Sequence, residues 1–173
     1  MAAIPLGAAW EQASQEARDA MDHFLGNTGA DRALDVRQIL LDSPSARQHW
    51  DDTIVELVNL IHGKRFVGTI QLVDKAAHLG GTNGVWVAAV GQYTGWSTAT
   101  ITGSHVNGVF SYDLEFTYNM WDPYDWDPTK LGTPQPSLAK LHLAGMAQQY
   151  MTEGSHSVTL SWSEHDTPPN PGP

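Results

Sequence analysis

The sequence predicts an α+β domain: N-terminal helices, an antiparallel sheet of about five strands, and one buried C-terminal helix packed on that sheet. Three observations predict it. The first sixty or so residues carry apolar side chains at three-and-four spacing. After Gly63 the period changes, and short Gly/Asn turns separate Thr- and Val-rich runs. From Phe110 to Met120 the even positions are Phe, Tyr, Leu, Phe, Tyr and Met, while the odd ones are Ser, Asp, Glu, Thr and Asn. That unbroken alternation is a long strand with one buried and one wet face.

In chain order, residues 8–25 read as a helix with Trp10, Ala13, Ala17, Met21 and Phe24 on one side, stopped by Gly26 and Asn27. Residues 33–41 read as a short helix, or as a strand leading into one, with helix favoured from Arg37 onward. Ser43-Pro44 is a strong helix start, an N-cap hydroxyl followed by proline at the first helical position. That helix should reach about His62, with Trp50, Ile54, Leu57, Val58 and Ile61 as its apolar stripe and Gly63 just past its end.

Strands are expected over 65–73, 85–90 and 94–102, with a loop at 80–84 and a turn over 103–108. The long strand follows, and Pro123 should end its pairing, because proline cannot donate to a ladder. After a proline-punctuated loop, Ser137 should cap the last helix, Leu138 to about Met151. Its apolar residues lie nearly all round the axis, which implies burial. Gly154 ends it, and 157–162 returns as a strand. The expected domain is 1–163, helical over 1–63 and sheet plus helix over 64–163, followed by a disordered Pro-rich tail at 164–173.

Composition removes several functions. Nine Lys and Arg against nineteen Asp and Glu give a formal charge of −10. There is no basic run to neutralise phosphates, so no nucleic-acid partner is expected. Docking on an anionic membrane is equally disfavoured. No cysteine is present, which excludes disulfides, thiol catalysis and Cys-ligated zinc. No apolar run approaches the roughly 18 residues of a spanning helix. The first residues, MAAIPLGAAWEQ, lack the basic and apolar regions of a secretory signal peptide.

The chemistry concentrates after the long strand. Continuing the even series puts Asp122 on the buried side, ahead of a loop holding Tyr124, Asp125 and Asp127 among Trp121 and Trp126. A carboxyl against an apolar wall can exchange a proton near neutral pH; the alternative is an aspartate capping the turn at Pro123. Asp122, Asp125 and Asp127 could hold a hard cation through oxygen, or stand as solvated turn carboxylates. A calcium loop counted from Asp125 fails, since Lys130 and Pro136 occupy its glycine and glutamate positions. His142 could face Asp122 or Asp125 as an acid–base partner, or serve packing alone. Gly145, three residues on, costs about 1 kcal/mol inside a helix, which a close approach of another element would explain. The candidate catalytic set is Asp122, Tyr124, Asp125 and His142; no cofactor is expected, and no metal is assigned.

The chain resembles a recurrent C-terminal module of actinobacterial polymorphic-toxin-like and type VII-secretion-associated proteins. The residues that carry this are Asp22-His23-Phe24-Leu25-Gly26, Asp35-Val36-Arg37-Gln38-Ile39-Leu40, Trp96-Ser97-Thr98-Ala99-Thr100, Trp121-Asp122-Pro123-Tyr124-Asp125-Trp126-Asp127 and Leu141-His142-Leu143-Ala144-Gly145. The resemblance implies a toxin or effector role in interbacterial competition. It also implies a cognate immunity protein or delivery system as partner, and secretion or specialised delivery after synthesis in the cytoplasm.

A second, partial similarity is to colicin M-type enzymes, which cleave the lipid-linked peptidoglycan precursor. Their catalytic stretch contains Asp-x-Tyr-Asp followed by His-Arg. Asp122-Pro123-Tyr124-Asp125 matches the first half; the His-Arg pair is absent, the next residues being Trp126-Asp127-Pro128-Thr129-Lys130. Together the readings imply a toxin- or effector-like hydrolase working through the Asp-x-Tyr-Asp loop. The rival reading is a non-enzymatic binding module of immunity or secretion-adaptor type.

Overall fold

The computed structural model describes residues 14–73, 78–82, 86, 89–125, 136–167, 169 and 172–173. Within them run α1 (Gln15–Leu25), β1 (Arg32–Ala33), α2 (Val36–Asp42), α3 (Pro44–Ile61), β2 (Gly68–Val73), β3 (His78–Gly81), β4 (Gln92–Val106), β5 (Val109–Tyr124), α4 (Pro136–Leu143) and β6 (Tyr150–Ser163). The strands form one sheet in the order β1-β6-β5-β4-β2, with β3 also paired to β4. Every pairing is antiparallel except β1 on β6. The α+β class read from the sequence is the class observed.

The helices begin where side chains cap them. Ser14 accepts from the Ala17 amide, Asp35 from Gln38 and Ser43 from Ala46. Residues 8–13 of the expected first helix lie outside the described residues. β4 and β5 are joined by Asn107-Gly108, both at positive φ (52° and 82°), the two-residue turn whose twist matches a hairpin. The expected turn over 103–108 therefore shrinks to two residues, and β4 runs up to it.

The core lies between the helices and one face of the sheet. Tyr112, Leu114, Phe116, Tyr118 and Met120 of β5 are all fully buried, as their alternation predicts. Trp50 of α3 stands edge-on to Phe116, with ring centroids 5.1 Å apart, and to Tyr118 at 5.9 Å. Phe24, Ile39, Leu40, Ile54 and Val58 complete the helical side.

Further expectations are corrected. The glycine-rich run at 80–84 is not all loop, because Gly80 and Gly81 belong to β3 and pair with Tyr93 and Gln92. The expected strand at 85–90 is not one where it is described, since the Ala89 and Val90 amides both turn back to the Trp86 carbonyl. Pro123 does not end pairing: Asp122, Pro123 and Tyr124 pair with Thr152, Met151 and Tyr150 of β6. Pairing of β4 with β5 has already ended at Thr94↔Trp121, although β4 itself continues to Gln92, so Pro123 is paired on one side only, where proline is tolerated. The last helix ends at Leu143 rather than near Met151.

That early end has a local cause. Gly145 sits at φ +68°, and a side chain there would meet nothing within 4 Å. The glycine thus serves a left-handed helix exit rather than a close approach. Leu138 and Ala139 are buried, while Leu143 and Met146 are 78% and 63% exposed. Helix α4 therefore buries one side only. β6 starts seven residues earlier than the sequence suggested, and Gly154, expected to end the helix, lies within it. None of the helices among the described residues is long and apolar enough to cross a membrane.

Candidate functional site

The end of β5 is built by strands of unequal length. Past Trp121 its only described strand neighbour is β6. On the far side of β6 lies β1, with Arg32 opposite Thr152. Thr152 is in turn opposite Asp122, so Arg32, Thr152 and Asp122 form one row across three strands. Directly paired residues point to the same face. The next row holds Tyr150 and Tyr124, whose rings stack with centroids 4.9 Å apart and planes 20° apart.

Helix α1 covers these rows. Phe24 meets Tyr124 edge-on at 5.9 Å, and His23 meets Tyr150 edge-on at 4.4 Å. The Tyr150 hydroxyl donates to the Ala20 carbonyl over 2.9 Å. The Thr152 hydroxyl, on a residue only 2% exposed, donates to the Asp122 carbonyl over 2.9 Å. A cavity of about 140 Å³ opens beside the row, lined among others by Glu16, Ala20, Arg32, Asp35, Trp86 and Thr152.

Burial pushes the Tyr150 phenol up to about 12; Arg32 beside it works in the opposite direction, and the Asp122 charge adds to the rise. The phenol therefore stays protonated at neutral pH and acts as a donor. Among the described residues Arg32 makes one long ion pair, 3.9 Å from Nη2 to Asp19 Oδ2, with the arginine side chain 34% exposed.

The sequence-predicted residues are placed as follows. Asp122 is half-buried on the inner face, as the alternation implies, and Tyr124 is buried beside it. Asp125 is half-buried one residue past the strand. His142 is near the end of α4; its Nδ1 is buried with no hydrogen-bond partner among the described residues. The helix exit beyond it is tied to α1, where Asn27 Nδ2 donates to the Gly145 carbonyl over 3.0 Å and the Gln148 amide to the Phe24 carbonyl over 3.2 Å. Trp126 and Asp127 lie outside the described residues. Among the described residues no three His, Asp or Glu side chains gather to hold a metal ion.

Sequence reading missed Arg32, Tyr150 and Thr152. The last two were placed in or just after an over-long helix, although Tyr150, Thr152, Gly154, His156, Val158, Leu160 and Trp162 alternate with exposed residues as a strand would. Arg32 carried no local signal, because only the pairing of β1 with β6 brings it to the site.

No protein-family model matches the chain, and no curated protein matches it. Its fold is that of the bacteriocin syringacin M from Pseudomonas syringae pv. tomato DC3000, with a TM-score of 0.50 and 21% identity over 85% of this chain and 52% of that one. A pectocin M2 structure aligns over 85% of this chain and 53% of its own, at 18% identity and a TM-score of 0.45. The chain thus spans about half the length of these solved structures. The likeness is one of fold, and nothing in it touches the resemblance to the actinobacterial module.

Proposed function

We propose that the chain is a bacterial toxin-like domain, a hydrolase acting through the Asp-x-Tyr-Asp run at the end of β5, delivered by a specialised route. One observation carries the reading: this run stands past the last β4–β5 pair, with Asp122 half-buried beside stacked phenol rings and in one row with Thr152 and Arg32. A half-buried carboxyl at a strand end can serve as a general acid or base. The fold shared with a bacteriocin supports the toxin role.

In this reading Asp122 gives or takes the proton at the scissile bond. Tyr124, held by Phe24 and Tyr150, fixes the direction of the β5 tip. Asp125, half-buried, follows the strand by one residue, and His142, whose buried Nδ1 has no partner among the described residues, is the candidate second acid–base group. The substrate class is phosphorylated or glycosidic; the partial similarity to colicin M-type enzymes favours the phosphorylated one. A cognate immunity protein would be the partner in the producing cell.

The test is growth of bacteria expressing the chain in the cytoplasm or the periplasm, each beside a folded Asp122→Asn variant. The reading expects killing in one compartment and its loss in the variant. Unimpaired growth in both compartments, with folded protein present, would refute a toxin role in that host. Killing retained by Asp122→Asn would move the activity away from this loop.

A further inference from the structure

The Asp-x-Tyr-Asp run lacks the His-Arg pair that follows it in the enzymes it resembles, so its own loop brings no cationic partner at that position. A cation nevertheless reaches the site from the other end of the chain. We propose that Arg32, carried by the two-residue parallel strand β1, is the cationic member of the site and binds the phosphoryl oxygens of the substrate beside Asp122. This rests on the hydrolase reading and on its phosphorylated substrate class.

The geometry supports a role for the side chain beyond holding β1. That strand is fastened by its backbone, through the pairing of Arg32 and Ala33 with Thr152 and Glu153 and the 2.7 Å bond from the Leu34 amide to the Glu153 carbonyl. The guanidinium is not needed for that attachment. It lies against the Tyr150 phenol and lines the cavity beside Thr152. Adjacent strands are about 4.8 Å apart, so Arg32 and Asp122 start from Cα atoms about 10 Å apart. At the arginine end of the row, the cavity of about 140 Å³ lined by Arg32 and Thr152 has room for one tetrahedral group.

A guanidinium has five N–H donors in a rigid fork; that of Arg32 hydrogen-bonds the Tyr150 phenol, and the ion pair to Asp19 is a single contact at 3.9 Å. Donors therefore remain for a bidentate oxyanion. Among the described residues, the charged groups around it include Glu16 and Asp19 on α1, Asp35 at the start of α2 and Asp122 on β5. They oppose an anion and keep ground-state affinity low. The same acidity gives the cation its weight, because without it an anionic substrate would meet Glu16, Asp19, Asp35 and Asp122.

The probe is inorganic phosphate, titrated into the full chain while the Arg32 guanidinium and Thr152 amide resonances are followed. The expected result is a saturable shift at both. Arg32→Gln should weaken binding about ten- to a hundredfold, as loss of a charge-assisted contact implies. Arg32→Lys should fall between, since a lysine offers charge without the fork. Asp122→Asn should bind phosphate at least as tightly as the parent, one negative charge having been removed. Protection of the Leu34 amide reports that β1 is still paired; if Arg32→Gln fails to fold, Arg32→Lys carries the comparison.

No shift at Arg32 up to about 50 mM phosphate, an affinity worth less than 2 kcal/mol, would overturn the proposal. Binding to Arg32→Gln as tight as to the parent would do the same. The growth assay separates it from the parent reading. If Asp122→Asn still kills while Arg32→Gln loses phosphate, the Asp122 chemistry fails and the anion site stands. If Asp122→Asn is harmless but Arg32→Gln kills like the parent, the arginine assignment alone fails.

Discussion

Gly154→Ala should loosen the seat of Arg32 without touching any candidate catalytic side chain. An added Cβ would stand 2.3 Å from the Leu34 carbonyl oxygen, 3.0 Å from Leu34 Cβ and 3.1 Å from its carbonyl carbon. All three atoms belong to the residue that leaves β1, and its amide is held to the Glu153 carbonyl at 2.7 Å. An ordinary carbon–oxygen contact is about 3.3 Å or more, so Leu34 must retreat by about 1 Å. It is anchored on one side and continues into α2 on the other. Such overpacking costs about 1–3 kcal/mol. For a chain of this size that lowers Tm by roughly 2–4 °C per kcal/mol, or about 2–12 °C in all. Thermal unfolding and exchange of the Leu34 amide are the assays. A Tm within a degree of the parent, with Leu34 equally protected, would refute the idea that β1 is held by a close approach over Gly154.

Three further outcomes are expected. Trp50→Ala removes the ring that joins α3 to Phe116, Tyr118 and His156, and should cost about 3–5 kcal/mol by chemical denaturation, among the largest effects of any single core truncation. His156, tilted against Trp50 at 5.4 Å, has its pKa lowered by burial and then by Arg37, with Asp35 opposing. Its neutral form is favoured on folding, so the unfolded chain binds the proton first and stability falls as pH drops through the ordinary value of 6.5; His156→Phe should flatten that fall. Tyr150→Phe should cost about 1 kcal/mol for the lost bond to Ala20. Because the Tyr150 phenol is raised to about 12, its contribution is present below the ordinary value of 10 and lost as pH rises through about 12. Phenolate absorbance should therefore lose a step near pH 12 in the variant.

Much of the fold was legible because local and tertiary preferences agree. The alternation of 110–120, the Ser43-Pro44 start and the stripe from Trp50 to Ile61 each name their buried face outright. The misreadings fall where a tertiary contact outweighs composition. Residues 144–151 are rich in helix formers, yet the left-handed Gly145 ends the helix and stacking with Tyr124 recruits Tyr150 into a strand. Gly80 and Gly81 look like loop residues but are carried as strand by their pairing with Tyr93 and Gln92. The same limit applied to the site. Asp122 and Tyr124 could be found by extending an alternation, whereas Arg32 and Thr152 join them only through strand pairings between segments 30 to 120 residues apart.

The central claim is that this chain hydrolyses a phosphorylated substrate through the end of β5. The most direct measurement is release of a water-soluble phosphorylated fragment from lipid-linked peptidoglycan precursor by the purified chain, beside folded Asp122→Asn. Release by the parent that falls about 10²- to 10⁴-fold in the variant is the expected result, the usual effect of removing a general acid or base. No release by the folded parent, or equal release by Asp122→Asn, would contradict the claim.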